Sequence, residues 1–275
     1  MHQPPEVRTR SSQSLVAPEA RAFYCRSLRT LVDAQIPFLV GGAYAYERYT
    51  GIARHTKDFD VFLRRRDARR ALAALAAAGY QTELTFPHWL GKAFSGEYFV
   101  DIIYGAGNGV ANVDDLWFRH AVEETVFDVA VNLVPPEEMI WSKAFIMERE
   151  RFDGADVAHL IRAYGDQLDW DHLMRRFGPY WRVLFTHLVI FGFIYPGERT
   201  KVPAKVIADL TERLRVESTS LAALPGGPLC QGTLISREQY LMDVQRWGYR
   251  DAREEHGRMT AEDIEHWTDA IAKSD

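Results

Sequence analysis

Asp58 and Asp60 stand one residue apart in the run His55-Thr56-Lys57-Asp58-Phe59-Asp60-Val61-Phe62-Leu63, and upstream a Gly41-Gly42 pair ends the apolar stretch Pro37-Phe38-Leu39-Val40. Side chains on a β-strand alternate between faces, so this spacing puts both carboxylates on one side and Phe59 and Val61 on the other. Two carboxylates held side by side repel each other, and a hard divalent ion such as magnesium, which takes oxygen ligands, relieves that repulsion. The pattern predicts a metal site beside a glycine turn. A third acid, Asp101, lies among Phe99, Val100, Ile102 and Ile103. A carboxylate inside so apolar a strand needs a partner or access to solvent.

The elements that must position these groups can be read from periodicity and breakers. Residues 1–17 are polar and proline-bearing and read as a flexible tail. Phe23, Leu28, Leu31 and Val32 recur at helical spacing over residues 18–34. Ile36 and Pro37 open a short strand, residues 43–49 suit a short helix, and residues 50–57 form a polar connection before the Asp58 strand. Asp67 is expected to cap a helix over residues 68–78 that ends at Gly79. Strands are expected around residues 89–94 and over 98–104, joined by a Ser95-Gly96-Glu97 turn. A further strand, 129–134, stops at Pro135-Pro136, the expected domain boundary. Beyond it, residues 136–151, 155–164, 170–177, 180–193, 203–215 and 261–273 read as helices, with 217–232 irregular. The expected class is α+β: a mixed sheet flanked by helices over residues 18–135, followed by a mostly α-helical region over 136–275.

Composition narrows the partners. With 275 residues and 47% hydrophobic content the chain can bury a full core. A formal net charge of −5 disfavours broad coating of nucleic acid. Arg64, Arg65, Arg66, Arg69 and Arg70 form the densest positive cluster and read as the solvated face of a helix. Cys25 and Cys230 lie far apart, without the spacing of a disulfide framework or a zinc site. Residues 1–10 lack the continuous apolar core of a secretory leader, which gives a cytoplasmic expectation. The apolar stretch 183–195 is interrupted by Thr186, His187 and Gly192 and is shorter than the roughly 20 residues that span a bilayer, so it reads as a buried helix and no membrane partner is expected.

Taken together, Gly41-Gly42, Asp58-Phe59-Asp60 and Asp101 resemble the signature of the nucleotidyltransferase superfamily, which includes DNA polymerase beta and the small bacterial nucleotidyltransferases. The resemblance runs over residues 36–134 and is strongest over 38–63, where Arg54, Thr56 and Lys57 also match the loop in which a basic residue and a threonine precede the acid pair. It implies a nucleotidyltransferase-like sheet and transfer of a nucleoside monophosphate from a nucleoside triphosphate to an acceptor hydroxyl, with release of pyrophosphate. Asp58 and Asp60 would bind two Mg2+ ions, and Asp101 would share one and accept the proton of the attacking hydroxyl. Gly41 and Gly42 would offer backbone N–H groups to phosphate at the start of the following helix. Arg54, Thr56 and Lys57 would contact the nucleotide, as would Lys143 of Trp141-Ser142-Lys143-Ala144-Phe145, a layout that resembles the helix pair behind the sheet in several bacterial members. Glu148, Arg149, Asp153 and Asp156 read instead as an ion-pair network fixing those helices. The acceptor expected from the resemblance is a small molecule such as an aminoglycoside or lincosamide, an RNA end, or a protein side chain. Two other readings are a noncatalytic nucleotide-binding or partner-binding module of the same fold and a toxin-antitoxin component.

Overall fold

Leu39 and Val40 are fully buried, as an inner strand requires. They form β1 (Leu39–Val40), which runs antiparallel to β2 (Asp58–Phe62) and parallel to β7 (Val129–Leu133). The other strands are β3 (Gln81–Phe86), β4 (Leu90–Ser95), β5 (Tyr98–Ile103) and β6 (Val122–Val126), and the sheet order is β3-β4-β5-β2-β1-β7-β6. β2 pairs parallel with β5, and β6 pairs antiparallel with β7. The computed structural model describes residues 11–219 and 228–271. The chain divides into two compact units. One comprises residues 1–85, 91–104 and 114–134, and the other residues 86–90, 105–113 and 135–275.

In the first unit the helices are α1 (Pro18–Asp33), α2 (Gly42–Thr50), α3 (Arg65–Ala77) and α4 (Asp115–Arg119). α1 and α3 pack on β5, and α2 packs on β2. Their shared core is aromatic. Phe59 is fully buried, with Tyr24 stacked at 5.1 Å, Tyr44 tilted at 4.9 Å and Phe127 at 5.8 Å between ring centroids. Tyr24 also donates a hydrogen bond to the Lys57 carbonyl at 2.7 Å, which fixes the backbone one residue before Asp58.

Several expectations are corrected here. α3 begins at Arg65, and Asp67 is no cap: it lies in the first turn, nearly buried, and accepts a bond from Arg70 at 3.1 Å. An acid there still favours the positive helix end. Of the expected tail, residues 1–10 lie outside the described residues, but residues 11–17 are tied down. Ser12 is buried, its N–H donates to Glu47 at 2.8 Å and its hydroxyl accepts from the Arg54 N–H at 3.0 Å. Strands β3 and β6 were not expected at all. They form the two edges of the sheet, where one side of the backbone is unpaired and fewer side chains are buried, so their apolar alternation is weak.

The second unit carries α5 (Pro136–Ala144), α6 (Gly154–Tyr164), α7 (Trp170–Phe177), α8 (Trp181–Ile194), α9 (Ala204–Thr219), β8 (Leu229–Cys230), α10 (Leu241–Gln245), β9 (Arg250–Asp251), α11 (Ala252–Glu255) and α12 (Ala261–Asp269). α5 is shorter than the expected 136–151. After Phe145 the chain turns through Glu148 and Arg151, whose N–H and carbonyl pair at 2.8 Å, and an isolated bridge joins Met147 to Phe152. Residues 170–194 are long and apolar enough, by length and composition alone, for a bilayer-crossing helix. They are interrupted at Gly178 (φ 46°) and Pro179, and α8 packs on α5, α6, α7 and α9. The expected buried helix buries one face, through Leu184, Leu188 and Phe191, while Val189 and Phe193 on the other are 57% and 85% exposed.

Lys143 closes the 145–153 turn by pairing with Asp153 at 2.9 Å and Asp156 at 2.8 Å, and Arg151 braces Asp153 at 2.9 Å. Glu148 reaches Arg237 instead, at 2.8 Å. Burial pushes the Asp153 carboxyl up, but the Arg151 hydrogen bond and the Lys143 charge outweigh it and hold Asp153 below its ordinary 3.8. A carboxyl lowered in the folded state stabilises the fold above its unfolded value, and that contribution is lost as the pH falls through the folded value. Urea unfolding at pH 7 and pH 3 tests this. The wild type is expected to lose stability between them, and Asp153→Asn is expected to be weaker at pH 7 and to change less on acidification.

Candidate active site

The parallel register of β2 and β5 sets Asp60 directly beside Asp101. Phe59 pairs with Val100 and Val61 with Ile102 in the same register, and all four are fully buried. Alternation therefore fixes the acids on one face while the apolar side chains anchor the other. Asp58 lies two residues before Asp60 on that face. One carboxylate oxygen from each of Asp58, Asp60 and Asp101 lies within 4.8 Å of the others. Three acids this close fit a hard cation through oxygen alone, with no thiol or imidazole in the set.

The glycine turn meets the same face. Gly42 has φ 52°, and a Cβ there would run into the Asp60 carboxylate. Glycine is thus required twice, for the left-handed backbone and for the approach to Asp60. Gly41 precedes α2 as its N-cap, and its N–H donates to the Asp60 carbonyl at 3.0 Å. The opening turn of α2, whose N–H groups are unpaired within the helix, therefore lies next to the acids.

Thr56 and Lys92 both temper the negative charge. The Thr56 hydroxyl donates to Asp58, and Lys92 on β4 pairs with Asp101 at 2.7 Å while its ammonium lies 4.0 Å from the Phe99 ring centre. Burial, countered by Lys92 and reinforced by Asp58, raises the Asp101 carboxyl to about 6. Burial first, then the charges of Asp58 and Asp60 among others, also pushes the Tyr24 and Tyr44 hydroxyls above the ordinary tyrosine value.

A family model described as "Uncharacterised nucleotidyltransferase" matches residues 19–182, more than half of the chain. The chain belongs to this nucleotidyltransferase family. No curated protein sequence matches it. Solved structures similar to this nucleotidyltransferase include the antibiotic-resistance factor ANT(2'')-Ia in solution, with 15% identity and a TM-score of 0.35 over 72% of this chain and 92% of that one. ANT(2'')-Ia in complex with adenylyl-2''-tobramycin gives 15% identity and a TM-score of 0.37 over 70% and 98%. The lincosamide antibiotic adenylyltransferase LnuA, lincomycin-bound, gives 14% and 0.37 over 52% and 96%. These likenesses are loose, and the family assignment stands on residues 19–182.

Among the residues singled out in the sequence, Asp58, Asp60, Asp101, Gly41 and Gly42 come together in this nucleotidyltransferase. Thr56 is drawn in through Asp58. Lys57 points to Glu97, its ammonium at 2.8 Å, and that hydrogen bond raises Lys57 and lowers Glu97. The Arg54 guanidinium stacks on Tyr46 at 4.1 Å. Lys143 belongs to the second unit, engaged by Asp153 and Asp156. Lys92 was missed, although a signal existed: counting back across the Gly96-Glu97 turn of the β4–β5 hairpin places residue 92 opposite residue 101.

Gly51, the left-handed C-cap of α2 at φ 71°, has open space around its Cα and supplies a control for Gly42. Gly51→Ala is expected to cost about 1 kcal/mol of stability from backbone strain alone. Gly42→Ala adds displacement of Asp60, so its melting temperature should fall further than that of Gly51→Ala. Thermal unfolding of both variants checks this.

Proposed function

We propose that this chain is a metal-dependent nucleotidyltransferase that moves a nucleoside monophosphate from a nucleoside triphosphate to an acceptor hydroxyl and releases pyrophosphate. The observation that carries the reading is the convergence of Asp58, Asp60 and Asp101 beside the Gly41-Gly42 turn. These three acids would hold the divalent ion, which when bound supplies charge neutralisation for the phosphates and polarises the reacting phosphorus centre. The unpaired N–H groups at the start of α2 suit the anionic triphosphate. Asp101, the most buried of the three carboxylates, serves as the proton acceptor for the attacking hydroxyl. The hydroxyl oxygen forms a bond to the α-phosphorus, the bond from that phosphorus to pyrophosphate breaks, and the hydroxyl proton passes to Asp101.

In this reading Thr56 acts through Asp58, holding its carboxylate in place. Lys57 and Arg54, in the loop that leads into β2, would contact the triphosphate. Lys143 is left out, because both carboxylates around it already use its charge.

The test is pyrophosphate release from each of ATP, CTP, GTP and UTP with Mg2+ against separate pools of small hydroxylated compounds, tRNA and protein, alongside titration of Mg2+ and nucleotide. Asp58→Asn and Asp60→Asn are expected to abolish metal-dependent nucleotide binding. Asp101→Asn should lower turnover by roughly 10²–10⁴-fold with the fold intact. Nucleotide binding that ignores both metal and these substitutions would sink the proposal, and binding without pyrophosphate release in any pool would favour a noncatalytic module.

A further inference from the structure

The loop that carries Arg54, Thr56 and Lys57 into β2 has no regular secondary structure over residues 51–56. Conformational entropy works against one fixed arrangement of such a segment, so its backbone must be held from elsewhere in the unit. At Lys57 the Tyr24 hydroxyl donates to the carbonyl at 2.7 Å. At Arg54 the backbone N–H donates to the Ser12 hydroxyl oxygen at 3.0 Å.

Ser12 lies in the polar run Ser11-Ser12-Gln13-Ser14, yet it is 1% exposed. Its surroundings explain the burial. Ser12–Ser14 form a 3-10 turn capped by the Ser11 side chain, and the Ser12 N–H donates to the Glu47 carboxylate on α2 at 2.8 Å. The Glu47 carbonyl in turn accepts from the Gly51 N–H at 2.7 Å. One residue of α2 thus anchors the start of the loop directly and its middle through Ser12. On the other side, the Gln13 side chain accepts from the Phe127 N–H at 2.9 Å. Phe127 and Asp128 have φ 50° and 61°, a backbone region that costs non-glycine residues energy, so Gln13 supports a strained turn. The segment is built into the unit on both sides rather than laid over it.

We infer that residues 11–14 are a latch on this loop and that Ser12 is its positioning residue. The Ser12 hydroxyl fixes the Arg54 backbone, and with it the stretch that delivers Thr56 to Asp58 and brings Arg54 and Lys57 to the triphosphate. The nucleotide part of this assignment rests on the reading given under Proposed function, and the loop part stands without it. A backbone N–H that loses its acceptor turns to water or draws the chain into another arrangement. Removal of the Ser12 hydroxyl therefore releases the loop at Arg54.

The experiment is amide hydrogen exchange by mass spectrometry over residues 51–57 of the full chain without ligand, alongside calorimetric titration of ATP, CTP, GTP and UTP with Mg2+. Ser12→Ala is expected to speed exchange over 51–57 by roughly five- to tenfold and to weaken nucleotide binding by a similar factor. Glu47→Ala, which releases the Ser12 N–H, should follow Ser12→Ala. Glu47→Gln, which keeps an acceptor oxygen there, should follow the wild type. Leu75→Val trims a fully buried side chain of α3 and lowers the melting temperature without touching the loop. It should leave both readouts at wild-type values, which separates the latch from a general loss of stability. Unchanged exchange over 51–57 in Ser12→Ala, or equally raised exchange in Leu75→Val, would overturn the latch. Faster exchange with unchanged nucleotide affinity would overturn its role at the site. A wild type that binds no nucleotide would overturn the reading under Proposed function, and the exchange comparison would still decide for or against the latch.

Discussion

Placing Asp60 beside Asp101 in a parallel strand pair, with Asp58 two residues away on the same face, forces three like charges to within 4.8 Å. Left alone, such a group would raise its own proton affinities or push the strands apart. Much of the local structure answers that repulsion. The Thr56 hydroxyl is turned onto Asp58, Lys92 is brought across the hairpin to Asp101, and Gly42 brings the start of α2 against Asp60. Even so, Asp101 is left at about 6, with burial as the largest cause.

What tolerates the residual repulsion is the opposite face of the same two strands. Phe59, Val61, Val100 and Ile102 are fully buried in register with each other. Each such side chain contributes about 1.5–3 kcal/mol on removal from water, and slipping either strand by one residue would exchange these side chains with the acids. The aromatic cluster of Tyr24, Tyr44, Phe59 and Phe127 ties α1 and α2 to that face. Through Tyr24 it also holds the Lys57 carbonyl, so core packing reaches directly into the loop that presents the acids.

The centre was legible in the sequence because its parts obey strong local rules. Asp-x-Asp on a period of two, a glycine pair after an apolar run and an acid amid Val100 and Ile102 each carry a physical reason that needs no tertiary knowledge. Inner strands and long amphipathic helices were legible on the same ground. The edge strands β3 and β6 were not, since Gln81-Thr82-Glu83 and Glu123-Glu124 show no apolar alternation and are held by backbone pairing. The end of α5 was misread because Glu148-Arg149-Glu150-Arg151 has good helix propensity, while ion pairs to Lys143 and Arg237 favour a turn. Lys92 needed the hairpin register, a relation between strands rather than within one.

The same distinction separates the basic residues that the sequence could only treat alike. Lys57 is exposed, and so is its partner Glu97, with both side chains 62% accessible. An exposed pair of this kind is screened by water and salt and contributes little, so an arriving polyanion can recruit Lys57 by exchanging one exposed partner for another. Lys143 differs, because Asp153 and Asp156 are both nearly buried around it. Withdrawing Lys143 would leave Asp153 to Arg151 and take from Asp156 an ammonium at 2.8 Å in a poorly solvated turn, and breaking a buried pair costs about 3–5 kcal/mol. A phosphate contact by Lys143 would have to repay that cost, whereas one by Lys57 would not. Burial of the partner, more than the presence of a positive charge in a suggestive stretch of sequence, decides which lysine is free to serve a substrate.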